Sequence, residues 1–145
     1  MDVDALVADH AARIRALVPV TDVRLTGSAS VPGLDPCDVD LVVLADDVTA
    51  VAEQLGTSYP RLHPEQWHDD WAAFRDPGPP QVDVVVVRPG TSGDAHHRRA
   101  WDLIAADPVL AAEYAQLKAV RHGYEQRKAA FFDRVVGLLS EESAS

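Results

Sequence analysis

Residues Leu25 to Asp46 read LTGSASVPGLDPCDVDLVVLAD, and the order of residue types in this stretch decides the fold. Val23-Arg24-Leu25 alternates and runs into Gly27-Ser28, so a short strand delivers a glycine–serine turn. A loop from Ala29 to Cys37, with two prolines and a glycine, leads to a second strand, Val39 to Ala45, dense in β-branched residues. Side chains at i and i+2 of a strand share a face, so Asp38 and Asp40 project together while Val39 and Leu41 point into a core. Two carboxylates side by side at a strand end repel each other unless something cationic lies between them. A divalent ion such as Mg²⁺ meets that need, because hard cations bind through one or two carboxylates plus the phosphates of a substrate. Gly27 allows close backbone approach, and the Ser28 hydroxyl with the turn N–H groups has the chemistry to hold phosphate oxygens.

A third carboxylate lies in the clearest strand of the chain, Val82 to Arg88, bounded by Pro79-Pro80 and Pro89-Gly90. Asp83 sits inside Gln81-Val82-Asp83-Val84-Val85-Val86-Val87, and a carboxylate in so apolar a strand is costly to bury without a partner. If this strand lies beside that of Asp38 and Asp40, the three form a cradle suited to two-metal phosphoryl or nucleotidyl transfer. The plain alternative is an exposed acidic pair and an Asp83 on the solvent face of an edge strand.

Outward from this centre, apolar residues at helical spacing between residues 4 and 18 predict a helix, capped by Asp2 or Asp4 and ended by Pro19. Asp46 or Asp47 caps a second helix running to Leu55, with Gly56 as its stop. Residues 57 to 80 hold five prolines and suggest short strands at Arg61 to His63 and Trp71 to Arg75. Asp94 is expected to cap an Ala-rich helix to Ala106, and Asp107-Pro108 to open another that runs to His122. After Gly123 a last helix covers Tyr124 to Leu139, before a polar tail at 140–145 expected to be disordered. The order predicts an α+β class: a small mixed β-sheet backed by helices, in one domain over 1–139 with a C-terminal helical segment.

Composition narrows the function. The chain has 145 residues, enough for one core, and 13 Lys+Arg against 23 Asp+Glu give a net charge of −10 at pH 7. An extended nucleic-acid partner asks for a basic face, which this balance disfavours. A single cysteine, Cys37, forms no intramolecular disulfide and suits a reducing compartment. The acidic N-terminus does not read as a signal peptide, and no apolar run approaches the roughly 20 residues of a membrane span. The expectation is a soluble, cytoplasmic protein with no membrane partner.

Several other residues carry weaker signals. His96 and His97 are adjacent and face different ways; His63 and His68 fall in an irregular segment. Cys37 has no nearby base to make it a nucleophile. Trp67, Trp71 and Phe74 suit a core better than a base-stacking platform, and Arg98-Arg99 suits a solvated face. Cations for a phosphate ligand are expected on the C-terminal helices: Lys118 and Arg121 are three apart on one face, with Tyr114 four before Lys118, and Lys128 lies four after Tyr124.

Gly27-Ser28, Asp38-Val39-Asp40 and Asp83 together resemble the nucleotidyltransferase superfamily related to DNA polymerase beta. Within it the chain is similar to the GrpB family: GSASVPGL at Gly27 to Leu34 matches an opening motif usually written GSTAVPGL. DPVLAAEYAQLK and YEQRKAAFFDRV match its ending. The chain departs from that family in reading Asp35-Pro36-Cys37 before a full Asp-x-Asp, where a Lys-Pro segment and a single Asp are usual. It also has Gln81-Val82-Asp83 where histidines are common. The resemblance implies that Asp38, Asp40 and Asp83 bind two Mg²⁺ ions. It further implies that Asp83 helps deprotonate an acceptor hydroxyl, and that Gly27 and Ser28 contact the β- and γ-phosphates of a nucleoside triphosphate, ATP first. Lys118 and Arg121 join them as ligand-binding candidates.

Three functions are compatible with these residues: Mg²⁺-dependent nucleotidyl transfer to a small-molecule or protein acceptor, a non-catalytic nucleotide- or phosphate-binding module, and an antitoxin-like modifier of a partner protein. The intact carboxylates favour the first. The acceptor and the oligomeric state have no signature in the sequence.

Overall fold

Asp2 opens helix α1 (Val3–Leu17) by accepting the Ala5 N–H at 3.0 Å, and the helix lays His10, Ala11 and Ile14 inward. Strands β1 (Val23–Thr26) and β2 (Val39–Leu44) follow, then helix α2 (Val48–Leu55), which Asp47 caps through the Ala50 N–H. The computed structural model describes residues 1–19, 22–34 and 38–144, so Asp35, Pro36 and Cys37, with the reading of Cys37 as no nucleophile, lie outside the described residues. After α2 come β3 (Trp71–Asp76) and β4 (Val82–Val87). The strand expected at Arg61 to His63 is reduced to an isolated bridge between Arg61 and Phe74, because Pro64 starts a 3₁₀ turn there.

The four strands form one mixed sheet in the order β1-β2-β4-β3, with β2 and β4 parallel and the outer strands antiparallel to them. Alternation divides its residues between two faces. Val39, Leu41, Val43, Val82, Val84, Val86, Ala72 and Phe74 build the main core with Ile14 of α1 and Val48, Ala52 and Leu55 of α2. The opposite face carries Val42, Ala73, Val85 and Val87, flanked by Trp71.

The C-terminal half is helical: α3 (Ser92–Asp94), a π-helical stretch (Ala95–Arg99), α4 (Ala100–Ala106), α5 (Pro108–Ala119) and α6 (Tyr124–Ala144). These helices share a core of Ala100, Ile104, Leu110, Tyr114, Phe131, Val135 and Leu139, into which Val31 also packs. Three boundaries differ from the expectation. Thr91, not Asp94, caps α3; Asp94 is fully buried, where it accepts the Gly90 N–H and both guanidinium arms of Arg98, so Arg98 is a structural partner and not part of a solvated face. Helix α5 ends at Ala119 instead of His122, and the turn beyond is held by Arg127, which donates to the carbonyls of Val120 and His122. Helix α6 continues through the residues read as a disordered tail to Ala144, since nothing between Leu139 and Ala144 is a glycine or proline that would stop it. Among the described residues no helix is long and apolar enough to cross a membrane.

A polar network ties α1 to the sheet edge. The buried His10 Nδ1 meets the Tyr59 hydroxyl at 2.7 Å, Arg13 lies over the Tyr59 ring at 4.0 Å, and Arg13 donates to Asp76 (3.1 Å) and to Ser58. Burial is the main reason the His10 pKa lies below its usual value. Tyr59→Phe removes the hydroxyl and leaves a buried imidazole nitrogen without it, at an expected cost of about 1–2 kcal/mol in a urea unfolding experiment.

Candidate functional site

The register of the sheet lines up four polar residues across its width. Thr26 of β1 pairs with Asp40 of β2, Asp40 with Asp83 of β4, and Asp83 with Arg75 of β3. All four project from the face opposite α1 and α2, at the end where β2 begins. Thr26 is anchored by donating its hydroxyl to the His97 carbonyl at 2.5 Å, which joins the row to the helical half.

Asp40 is the strained member. Its carboxyl is pushed up to about 6, mainly by burial, then by the negative charges of Asp83 and Asp38, with Lys128 and Arg75 acting in the opposite direction. Asp38 lies at the start of the same strand, where Gln81 Nε2 approaches its Oδ2 at 3.4 Å. Gly27 supports Asp40 by having no side chain. A Cβ on Gly27 would lie 2.3 Å from Asp40 Oδ2, and the glycine holds φ at +71°. Ser28 is buried in the short turn that follows, and Ser30 donates its hydroxyl to the Gly27 carbonyl.

Asp83 has a different environment from the one expected. Arg75 Nε donates to its Oδ1 at 2.7 Å and Arg75 Nη2 to its Oδ2 at 2.9 Å, a planar two-armed pairing that engages both oxygens. The sequence suggests a metal ion beside Asp83 or a solvent-facing carboxylate; the neighbouring strand instead supplies a guanidinium as its counter-charge. Arg75 is thus a site residue that sequence reasoning missed.

Opposite the sheet, the helical half closes a cavity of about 420 Å³ lined by Thr26, Gly27, Asp40 and Val85 on one side and by His96, His97, Trp101, Lys128 and Phe132 on the other. The wide winding of the π-helical stretch, a feature frequent at functional sites, brings both adjacent histidines to this cavity. The His97 ring also packs against Trp71 at 6.0 Å, and burial holds its pKa below the usual value. Tyr114 is buried in the helical core behind this wall; its hydroxyl is raised above the usual tyrosine range by burial, by its hydrogen bond with Tyr124, and by the nearby charges of Asp40 and Asp38. Trp67 and Phe74 pack together at 5.1 Å on the other side of the sheet, away from this cavity.

Lys118 and Arg121 are placed elsewhere. They line a separate, larger opening of about 800 Å³ at the α5–α6 turn, with His122 and Tyr124. Lys128 is the lysine of the Asp40 cavity, and it also lies 5.7 Å from the Tyr124 ring centre. Its spacing contained the signal: Lys128 falls one turn before Phe131 and Phe132 and two before Val135, in line with the stripe that α6 buries.

The donor chemistry is of the kind that a hard divalent cation takes. Asp38 and Asp40 supply carboxylate oxygens, and the raised pKa of Asp40 marks a negative charge short of compensation. Among the described residues no group of three or more His, Cys, Asp or Glu side chains converges on a metal position.

The four-stranded mixed sheet and the helices packed against it define an α+β domain, with Asp40 facing a cleft between the two. The comparisons agree: a sequence model described as GrpB protein matches residues 2–137. The chain belongs to the GrpB family. A UPF0157 protein of Deinococcus radiodurans is 30% identical over 142 residues, covering 91% of this chain and 74% of that protein. The crystal structure of the conserved protein GrpB from Enterococcus faecalis has the same fold, with a TM-score of 0.74 at 17% identity, over 97% of this chain and 94% of that one.

Proposed function

We propose that the cleft between sheet and helices binds a nucleoside triphosphate, ATP first, together with a divalent cation, and passes its nucleotidyl group to the hydroxyl of a small molecule or protein. The observation that carries this reading is Asp40: a buried carboxylate of raised pKa, seated on Gly27 and flanked by two further carboxylates, on the floor of a cavity that a lysine overlooks. Asp38 and Asp40 would hold Mg²⁺, which supplies charge neutralisation of the phosphates when bound. Lys128 contributes a positive charge from the opposite wall, and Trp101, Phe132 and Val85 offer an apolar surface to a flat ring. In the transfer, the acceptor oxygen bonds to the α-phosphorus, the bond to the α–β bridging oxygen breaks, pyrophosphate leaves, and the hydroxyl proton passes to solvent. Fixed charges aimed at the phosphates are the chain's main contribution to such a reaction.

Titration calorimetry with ATP, with and without Mg²⁺, followed by detection of label transferred from α-labelled ATP to a cell extract, tests the proposal. Binding that requires Mg²⁺ and is lost in Asp40→Asn is expected; Mg²⁺-independent binding unaffected by that change would overturn it. One observation favours a second reading, a nucleotide-binding module without turnover: Asp83, the expected base, has both oxygens on Arg75. That reading gives the same binding and no transferred label. In either case Lys128→Ala is expected to weaken ATP binding about tenfold, the worth of a charge-assisted contact, and Lys118→Ala to change it less than about twofold.

A further inference from the structure

We infer that Arg75 stands in for one of the two metal ions expected at such a site, so that the cleft takes a single divalent cation beside a fixed guanidinium. The inference rests on the proposed nucleotide-binding reading and assigns a charge that the reading leaves open. Four strands place Thr26, Asp40, Asp83 and Arg75 in consecutive register, so Arg75 extends the acidic row by one strand spacing. Both of its bonds to Asp83 are short and run to different oxygens, which fixes the guanidinium plane and gives Asp83 a counter-charge that any ion at its oxygens would have to share. The Asp83 side chain is 15% exposed and that of Arg75 40%, so the carboxylate is the more deeply buried member of the pair. From that position its charge reaches Asp38 and Asp40 as well as Asp83, while Lys128 acts on Asp40 from the opposite wall. Two fixed cations therefore flank three carboxylates, and a single divalent ion shared with phosphates completes the balance. Asp83 then acts through Arg75 as a positioning residue. A guanidinium held in this way needs no reorganisation when a phosphate arrives, which a second ion would have to be recruited to provide.

The test counts ions. Mn²⁺ binding to the full-length protein in the presence of ATP is followed by electron paramagnetic resonance and calorimetry, with folding of each variant checked by circular dichroism. The wild type is expected to hold one Mn²⁺ per chain. Asp83→Asn should still hold that ion with affinity changed by less than about tenfold, the scale of losing one neighbouring charge, whereas Asp40→Asn should hold none. Arg75→Ala, which frees the Asp83 oxygens, should gain a second bound Mn²⁺. Two ions in the wild type, or loss of the ion in a folded Asp83→Asn protein, would overturn the role of Arg75 while leaving the nucleotide site intact. A wild type that binds ATP and no ion at all would overturn the nucleotide-binding proposal and this inference with it.

Discussion

Asp40→Asn makes the cation-free protein more stable at pH 7.5, by on the order of 2–3 kcal/mol, while removing the group on which the proposed function depends. The reason is linkage. The folded protein holds the Asp40 proton up to about pH 6, whereas the unfolded chain releases it near 3.8, as an ordinary aspartate does. Between these values the native state binds more protons, so the stability contributed by Asp40 is fully present below pH 3.8 and falls away as the pH rises to about 6. The neutral amide escapes that penalty. Melting curves of both proteins should therefore coincide near pH 4 and separate as the pH rises, with a difference in midpoint of roughly 5–10 °C at pH 7.5. Taking the difference between the two proteins cancels His10 and His97, which titrate in both. Saturating Mg²⁺ and ATP should reverse the ranking, because ligand stabilises only the protein that binds it. A wild type as stable as Asp40→Asn across this pH range would show that the carboxylate row carries no electrostatic strain.

Gly27→Ala should be as severe in the opposite direction. The new methyl group would lie 2.3 Å from Asp40 Oδ2 and 3.0 Å from its Cβ and Cγ, at a backbone φ of +71° that L side chains rarely adopt. The backbone conformation, φ +71° with ψ −164°, which is essentially confined to glycine, and the enforced overlap together are expected to cost about 3 kcal/mol or more, read as a lowered urea midpoint. Part of that cost belongs to the pair and not to the glycine. In the double variant Gly27→Ala/Asp40→Ala the 2.3 Å overlap with the carboxylate is gone, and what remains is the 3.0 Å approach of the two Cβ atoms and the backbone strain, about 1–3 kcal/mol. The two substitutions should therefore be strongly non-additive. Additivity would mean that Asp40 does not rest on Gly27.

These two residues were legible in the sequence because local pattern encodes them. A glycine before a serine, and aspartates at i and i+2 ahead of a β-branched run, define a turn and one strand face without knowledge of the rest of the chain. The strands β2 and β4 were equally legible as apolar, β-branched runs, whereas their parallel pairing entered only as a condition on the reading of Asp83. Arg75 was not. Its position opposite Asp83 depends on the register of the β3–β4 pairing across a proline-rich turn, and one residue of slip would have turned it to the other face. Lys118 and Lys128 show the same division. Each follows an aromatic by four on a helix, but only tertiary packing decides that α6 turns its stripe towards the sheet while the end of α5 runs out into solvent. Thr91 displaced Asp94 as a cap because Arg98, one turn on, offered the aspartate a buried partner.

The strand order also fixes a chronology. Strands β3 and β4 are neighbours in the chain and pair antiparallel, whereas β2 reaches β4 only across the whole of α2 and β3. Contacts of short separation form first because they close the smaller loop. The Arg75–Asp83 pair therefore needs only the most local pairing of the sheet, and its counter-charge does not depend on the arrival of β2 with Asp40. Had the arginine been placed on β1 instead, its counter-charge would have gone to Asp40 through the β1–β2 pairing, and Asp83 would have entered the sheet bare.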